Sequence, residues 1–162
     1  MCAEALSFSQ QQWRCVNNHS YDSGKEGYVN LLLAQHKRSK EPGDNKAMVN
    51  ARRNFLQAGY YEPLAHAIGQ QFLHLLVTTE KSHIHDIGCG EGYYLNAVVQ
   101  QWQETSRGLV ASGNDISKIA VQKAAKAYRQ CQFSVASSFK LPLPSASLDG
   151  ILQVFAPSDS CE

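Results

Sequence analysis

His83-Ile84-His85-Asp86-Ile87-Gly88-Cys89-Gly90-Glu91-Gly92-Tyr93-Tyr94 decides how this chain is read. A short strand-like run ends on an acidic residue, three glycines come next at alternate positions, and a helical pattern begins. Glycine lets the backbone turn tightly after a strand and lets a ligand approach the main chain with no Cβ in the way. The helix after the glycines offers unpaired N–H groups at its start. The pattern predicts a nucleotide-sized site at the C-terminal end of a parallel strand.

A dinucleotide fold would call for G-x-G-x-x-G. Gly88 and Gly90 fit it, but Tyr93 stands where the third glycine belongs, and Gly92 comes one residue early. The G-x-G-x-G spacing resembles the first motif of S-adenosylmethionine-dependent methyltransferases. That resemblance implies a loop wrapped around the methionine part and sulfonium of the cofactor. The competing reading is a plain strand-to-helix connector.

The residues downstream of the loop favour a site. A second strand is expected from Leu109 to Asn114, ending at Asp115, with a helix from about Ser117 to Tyr128. An acidic side chain at such a strand tip can accept both ribose hydroxyls; Asp115 could equally be a turn or cap residue, and Ser117 is as good a cap. A third strand, Gln132 to Ala136, runs into Ser137 and Ser138. Pro142 and Pro144 then hold an extended loop, and an apolar strand is expected from Ile151 to Ala156. The passage from Leu141 to Gly150 again looks like the class I methyltransferase fold. Four such elements make one half of a doubly wound α/β sheet.

The chain has 162 residues, 43% hydrophobic and 18% charged, which is globular in composition. One domain with a small appendage suits that length. The first twenty residues lack the apolar core of a leader peptide, and no run reaches the length of a membrane span. Cysteines at 2, 15, 89, 131 and 161 are odd in number and scattered. They argue against a disulfide framework and for a reducing, cytoplasmic setting.

Net charge is only +1, but it is unevenly spread. From Lys25 to Arg53 there are seven basic residues against three acidic ones, an excess of +4 that leaves the remainder at −3. Such a segment suits a phosphate backbone, or is simply a solvated face. Near the N-terminus, Cys2, Cys15 and His19 have the spacing C-x12-C-x3-H. A structural zinc site wants four ligands, usually opened by a C-x2-C knuckle. Trp13 and Tyr21 are either a minimal core around a metal or two sides of a hairpin.

Taken together, Lys25 to Leu32, the loop Gln35 to Asp44, the helix containing Ala51-Arg52-Arg53-Asn54-Phe55-Leu56, the glycine loop with its two tyrosines, and Val135 to Ser138 resemble the bacterial 23S ribosomal RNA guanine-N1 methyltransferases. The resemblance implies a partial class I (Rossmann-like) methyltransferase domain over 63–162, a basic linker and helix over 25–62, and a small incomplete zinc-finger-like segment over 1–24. It implies zinc on Cys2, Cys15 and His19, matching the family's second, third and fourth ligands, with no counterpart to the first. It also implies a cofactor site of Tyr61, Asp86, Gly88, Cys89, Gly90, Glu91, Gly92, Asp115 and Ser137. Contact with 23S ribosomal RNA is expected through Lys37, Arg38, Lys40, Arg52 and Arg53, with a homodimer allowed and no membrane. The remaining strands and much of the target-base pocket are expected beyond residue 162, and the general base is not identified. A cofactor- or RNA-binding fragment without turnover, and a small-molecule methyltransferase, are the alternatives.

Overall fold

The computed structural model describes residues 4–9, 12–32, 42–76 and 80–157. Three short strands come first, β1 (Ser7–Ser9), β2 (Gln12–Arg14) and β3 (Ser20–Asp22), paired antiparallel in that order. Trp13 stands opposite Tyr21 across β2 and β3, and the Trp13 ring lies 5.3 Å from that of Phe8. So small a ribbon cannot enclose a core of its own. It leans on the main domain instead, where buried Tyr21, Leu31 and Ala136 cluster with Leu6, Trp13 and Val29.

The main sheet has the order β4-β7-β6-β5-β8 and is parallel throughout. Its strands are β4 (Val29–Asn30), β5 (Lys81–Ile87), β6 (Gly108–Asp115), β7 (Gln132–Val135) and β8 (Gly150–Leu152). Parallel neighbours need crossover connections. Helix α3 (Tyr93–Trp102) joins β5 to β6, and α4 (Lys118–Ala127) joins β6 to β7. Helices α1 (Lys46–Gln57) and α2 (Glu62–Leu75) precede the β5 strand; α1 packs on α4, and α2 on α3. Gly69 lets α2 close on α3, because a Cβ there would collide with the Gln101 side-chain amide.

The core beneath these helices is built from Ile84, Leu95, Val98, Trp102, Val121, Ala124 and Phe133, each 3% exposed or less. On β5, His85 points the other way from Ile84 and enters a polar chain. Its Nδ1 meets Ser112 Oγ at 2.8 Å and its Nε2 meets Asn114 Oδ1 at 2.9 Å, while Asn114 Nδ2 donates to the Ala136 carbonyl at 3.2 Å. With its amide nitrogen donating, Asn114 offers an acceptor, so Nε2 carries the imidazole proton. Burial holds the His85 pKa below its ordinary value.

Two expectations change. The fourth strand ends at Leu152, not Ala156: Phe155 turns to φ +54, and the Gln153 side-chain amide donates to the carbonyls of Ala156 and Pro157. Val29 and Asn30, assigned to a linker, hydrogen-bond into the main sheet as its outer strand beside β7. A two-residue strand between Tyr28 and Leu31 carries too little alternation to be seen from sequence. No helix among the described residues is long and apolar enough to cross a membrane.

Candidate cofactor site

β5 delivers Asp86 and Ile87 to the C-terminal end of the sheet's strands, and the chain then makes three left-handed residues, Gly88 (φ +69), Gly90 (φ +55) and Gly92 (φ +83). Side-chain-bearing residues are strained in that region, which is what the alternate glycines avoid. Gly88 is also sterically required, since a Cβ there would collide with that of Ala156. Gly92 is the N-cap of α3, so the loop opens directly onto a helix N-terminus.

The tip of β6 is tied to this loop. Asp115 Oδ2 accepts from the Gly90 N–H at 2.9 Å, and Oδ1 accepts from the Ser117 N–H at 2.7 Å. Cap and site residue are thus not exclusive roles for Asp115. Its carboxylate closes the turn before α4 while also gripping the glycine loop, and two such oxygens retain lone pairs for further donors. Ser117 caps α4, accepting from the Ala120 N–H, and donates its hydroxyl to the Asp44 carbonyl at 2.7 Å.

Asp86 is 2% exposed; burial, reinforced by nearby Asp115, pushes its pKa well above the usual carboxylate range. Burial also raises the pKa of Asp115, opposed by its two backbone hydrogen bonds. Cys89 is buried against Gly113, and burial together with Asp86 and Asp115 pushes its thiol well up, so it is a packing residue rather than a nucleophile. Ser137 comes after β7, half-buried, with its Oγ accepting from the Phe139 N–H at 3.1 Å.

Helix α1 roofs the loop, which the sequence did not reveal. Arg53 reaches Glu91 at 3.3 Å, an ion pair without hydrogen-bond geometry, and the Glu91 side chain is only 4% exposed. Arg52 pairs with Asp44 at 2.9 Å, and its Nη1 is the one atom within 4 Å of a Cβ placed on Gly90 among the described residues. Both arginines are expected on an RNA face from sequence. Each makes an ion pair in this structure, Arg52 with Asp44 and Arg53 with Glu91 of the loop, while Lys37, Arg38 and Lys40 lie outside the described residues. Nothing in the spacing of Arg52 and Arg53 relative to Glu91 or Asp44 identifies these partners, because the pairing depends on how α1 packs. Tyr61, half-buried at the start of α2, has its ring 5.5 Å from Phe55 and 5.8 Å from Phe155.

In the ribbon, Cys15 Sγ and His19 Nδ1 lie 3.4 Å apart. Two such ligands on one tetrahedral zinc would stand about 3.5 Å apart, so the pair fits a shared ion. Cys2 lies outside the described residues. A separate cavity of about 510 Å³ lies between the ribbon and the sheet face, lined in part by Trp13, Tyr21, His85, Ser134 and Leu141. Gly88, Gly90 and Gly92 are not among the residues that line it.

Comparison with known proteins agrees with both parts. Residues 1–40 match the family model of the RlmA N-terminal zinc ribbon, and residues 85–157 match a methyltransferase domain. The chain is 33% identical over 162 residues to the 23S rRNA (guanine(748)-N(1))-methyltransferase of Streptomyces fradiae, covering 99% of this chain and 55% of that protein. A Bacillus subtilis (strain 168) protein, provisionally named for 23S rRNA guanine-N1 methylation, is 31% identical over 145 residues, 89% of this chain and 50% of its own. The chain thus spans about half the length of the curated relatives it matches. Among solved structures, a provisionally named S-adenosyl-L-methionine-dependent methyltransferase of Methanococcus maripaludis superposes with a TM-score of 0.57 at 17% identity, covering 72% of this chain and 53% of that one. DesVI of Streptomyces venezuelae gives 0.52 at 14% identity, covering 70% and 44%. These two show the class I fold.

Proposed function

We propose that this chain belongs to the family of 23S rRNA (guanine-N1)-methyltransferases and supplies the zinc ribbon and the cofactor-binding elements for methyl transfer from S-adenosylmethionine to N1 of a guanine in 23S ribosomal RNA. The observation that carries this reading is the cradle formed by Gly88, Gly90 and Gly92, bonded to Asp115 and opening on the N-terminus of α3.

The residues present fit that cofactor. A Cβ on Gly90 would meet nothing but the Arg52 guanidinium within 4 Å, so space exists above the main chain. The buried Tyr94 hydroxyl, within reach of the Arg52 charge, has no hydrogen-bond partner among the described residues. S-adenosylmethionine would bring an electrophilic methyl group. In this reading Asp115 accepts from the ribose hydroxyls while keeping its bond to Gly90, and Tyr61 covers the ligand against water. Ser137 stands at the end of β7 near the adenine side, and Asp86 and Glu91 hold the loop in shape, Glu91 through Arg53. Methyl transfer demands in-line placement of the acceptor nitrogen, so orientation by such a cradle is the chain's main contribution. A stacked guanine must be extruded to reach it.

The ribbon favours an RNA substrate over a small molecule, since a small acceptor needs no such appendage. Lys37, Arg38 and Lys40 remain the proposed phosphate contacts, with zinc held through Cys2, Cys15 and His19. The reading is tested in two steps. Calorimetry should detect binding of S-adenosylhomocysteine to the chain. Labelled methyl transfer to unmodified 23S RNA should then be measured for this chain and for a version extended to the length of its relatives. Failure of both proteins to bind the cofactor product, or labelling of small acceptors but not RNA, overturns it.

A further inference from the structure

Of the two arginines on α1, one is committed and the other is poised. Arg53 is held by Glu91, a carboxylate that is nearly fully buried and cannot leave the loop. Arg52 is more than half exposed, and its partner Asp44 sits on a loop with a 23% exposed side chain. That loop is fixed in place: Gly43 lies against Ile116 and Ser117 where a Cβ would approach within 2.8 Å, and the Asp44 carbonyl accepts from Ser117. The Arg52 guanidinium is therefore suspended directly over Gly90 with one partly buried carboxylate partner. Its charge is felt across the site, opposing the burial-driven rise in pKa of Glu91, Asp115 and Tyr94.

We propose that Arg52 is the receptor for the α-carboxylate of the cofactor's methionine moiety, exchanging its ion pair with Asp44 for a charge-assisted bond to the ligand. This assignment rests on the cofactor reading above. The chemistry is specific. The methionine end carries the cofactor's one carboxylate, and a cradle flanked by Asp86, Glu91 and Asp115 would otherwise repel it. A guanidinium offers a planar fork matched to a carboxylate, and Asp44 occupies that fork until a better-placed anion arrives. The exchange conserves charge: one carboxylate replaces another on the guanidinium, and Asp44 turns its partly exposed side chain to solvent.

The test compares two ligands that differ at the methionine end. S-adenosylhomocysteine has the carboxylate; 5′-methylthioadenosine keeps the adenosine and thioether sulfur but lacks the amino-acid group. Binding of each to the full chain is measured by calorimetry for the unsubstituted protein, Arg52→Gln and Arg52→Lys. Loss of a charge-assisted hydrogen bond should weaken S-adenosylhomocysteine about ten- to hundredfold in Arg52→Gln. 5′-Methylthioadenosine should stay within about twofold, which also reports that the variant is folded. Arg52→Lys should recover part of the loss, as a point charge without the fork. Equal weakening of both ligands means Arg52 only supports the loop, and unchanged binding of both means it does not touch the ligand; either result overturns the assignment. If neither the unsubstituted chain nor its extended version binds either ligand, the cofactor reading fails and this assignment falls with it.

Discussion

The N–H of Gly90 donates to Asp115 Oδ2 at 2.9 Å, joining two residues 25 positions apart and the C-terminal ends of two adjacent parallel strands. This bond makes the glycine loop and the acidic strand tip one unit. The loop cannot reshape around a ligand without disturbing Asp115, and Asp115 cannot move without releasing the turn into α4.

Replacing Gly90 with valine should abolish cofactor binding. A β-branched residue at φ +55 is strained by about 1–2 kcal/mol, and its side chain fills the space above the loop. Gly27→Ala provides the contrast, because Gly27 has φ +95 and nothing within 4 Å of an added Cβ. Calorimetry with S-adenosylhomocysteine should show no measurable heat for Gly90→Val and near-normal affinity for Gly27→Ala. Retained binding by Gly90→Val would remove the loop from the site.

The buried carboxylate of Asp86 makes stability depend on pH. Its folded pKa is raised by burial and by Asp115, so the folded state holds the proton more tightly than the unfolded chain does. The contribution is fully present below the unfolded value of about 3.9 and is lost as pH rises through the folded pKa. Urea unfolding of the unsubstituted chain and Asp86→Asn should therefore diverge over that window, the variant gaining relative stability as pH increases. Parallel pH profiles would mean that Asp86 is not buried as a strained acid.

Asn114 should be one of the costliest polar residues to truncate. It is fully buried, accepting from His85 and donating to the Ala136 carbonyl. Asn114→Ala leaves two buried groups unpaired, for a loss of about 2–5 kcal/mol. Denaturant titration at fixed pH measures it, and a change below about 1 kcal/mol would show that the chain from Ser112 to Ala136 is not cooperative.

The roof helix should come loose when its buried pair is cut. Arg53→Gln strands the Glu91 carboxylate, and with Arg53 itself about one-third exposed the cost is about 1–3 kcal/mol, below that of a fully buried pair. Glu91→Gln in the same chain should return part of that loss. A double-mutant cycle with no coupling would place Arg53 on the solvent side of α1.

In the ribbon, Cys15→Ser and His19→Ala should each lower zinc affinity tenfold or more, read by chelator competition, and loosen the packing of Trp13 on Tyr21. Unchanged zinc content in both variants would move the metal elsewhere.

Several parts of this molecule are legible in the sequence alone. Glycines at alternate positions between an apolar run and a helical one specify a left-handed turn locally, because each needs only its own φ. Strand β6 and its acidic tip, the helix after Ser117 and strand β7 come from short-range periodicity and capping, and their observed bounds lie within a residue of those expected. The tertiary structure decided what depends on long-range packing. The short edge strand Val29–Asn30 exists because β7 offers it unpaired backbone groups. Gln153 and Phe155 curl the chain away from β8 through contacts that an apolar run does not announce. Arg52 and Arg53 look alike in sequence, two basic residues on a basic segment. Only the docking of α1 over the loop gives one a buried carboxylate and suspends the other above Gly90, since a charge's role is set by what its neighbours exclude from water.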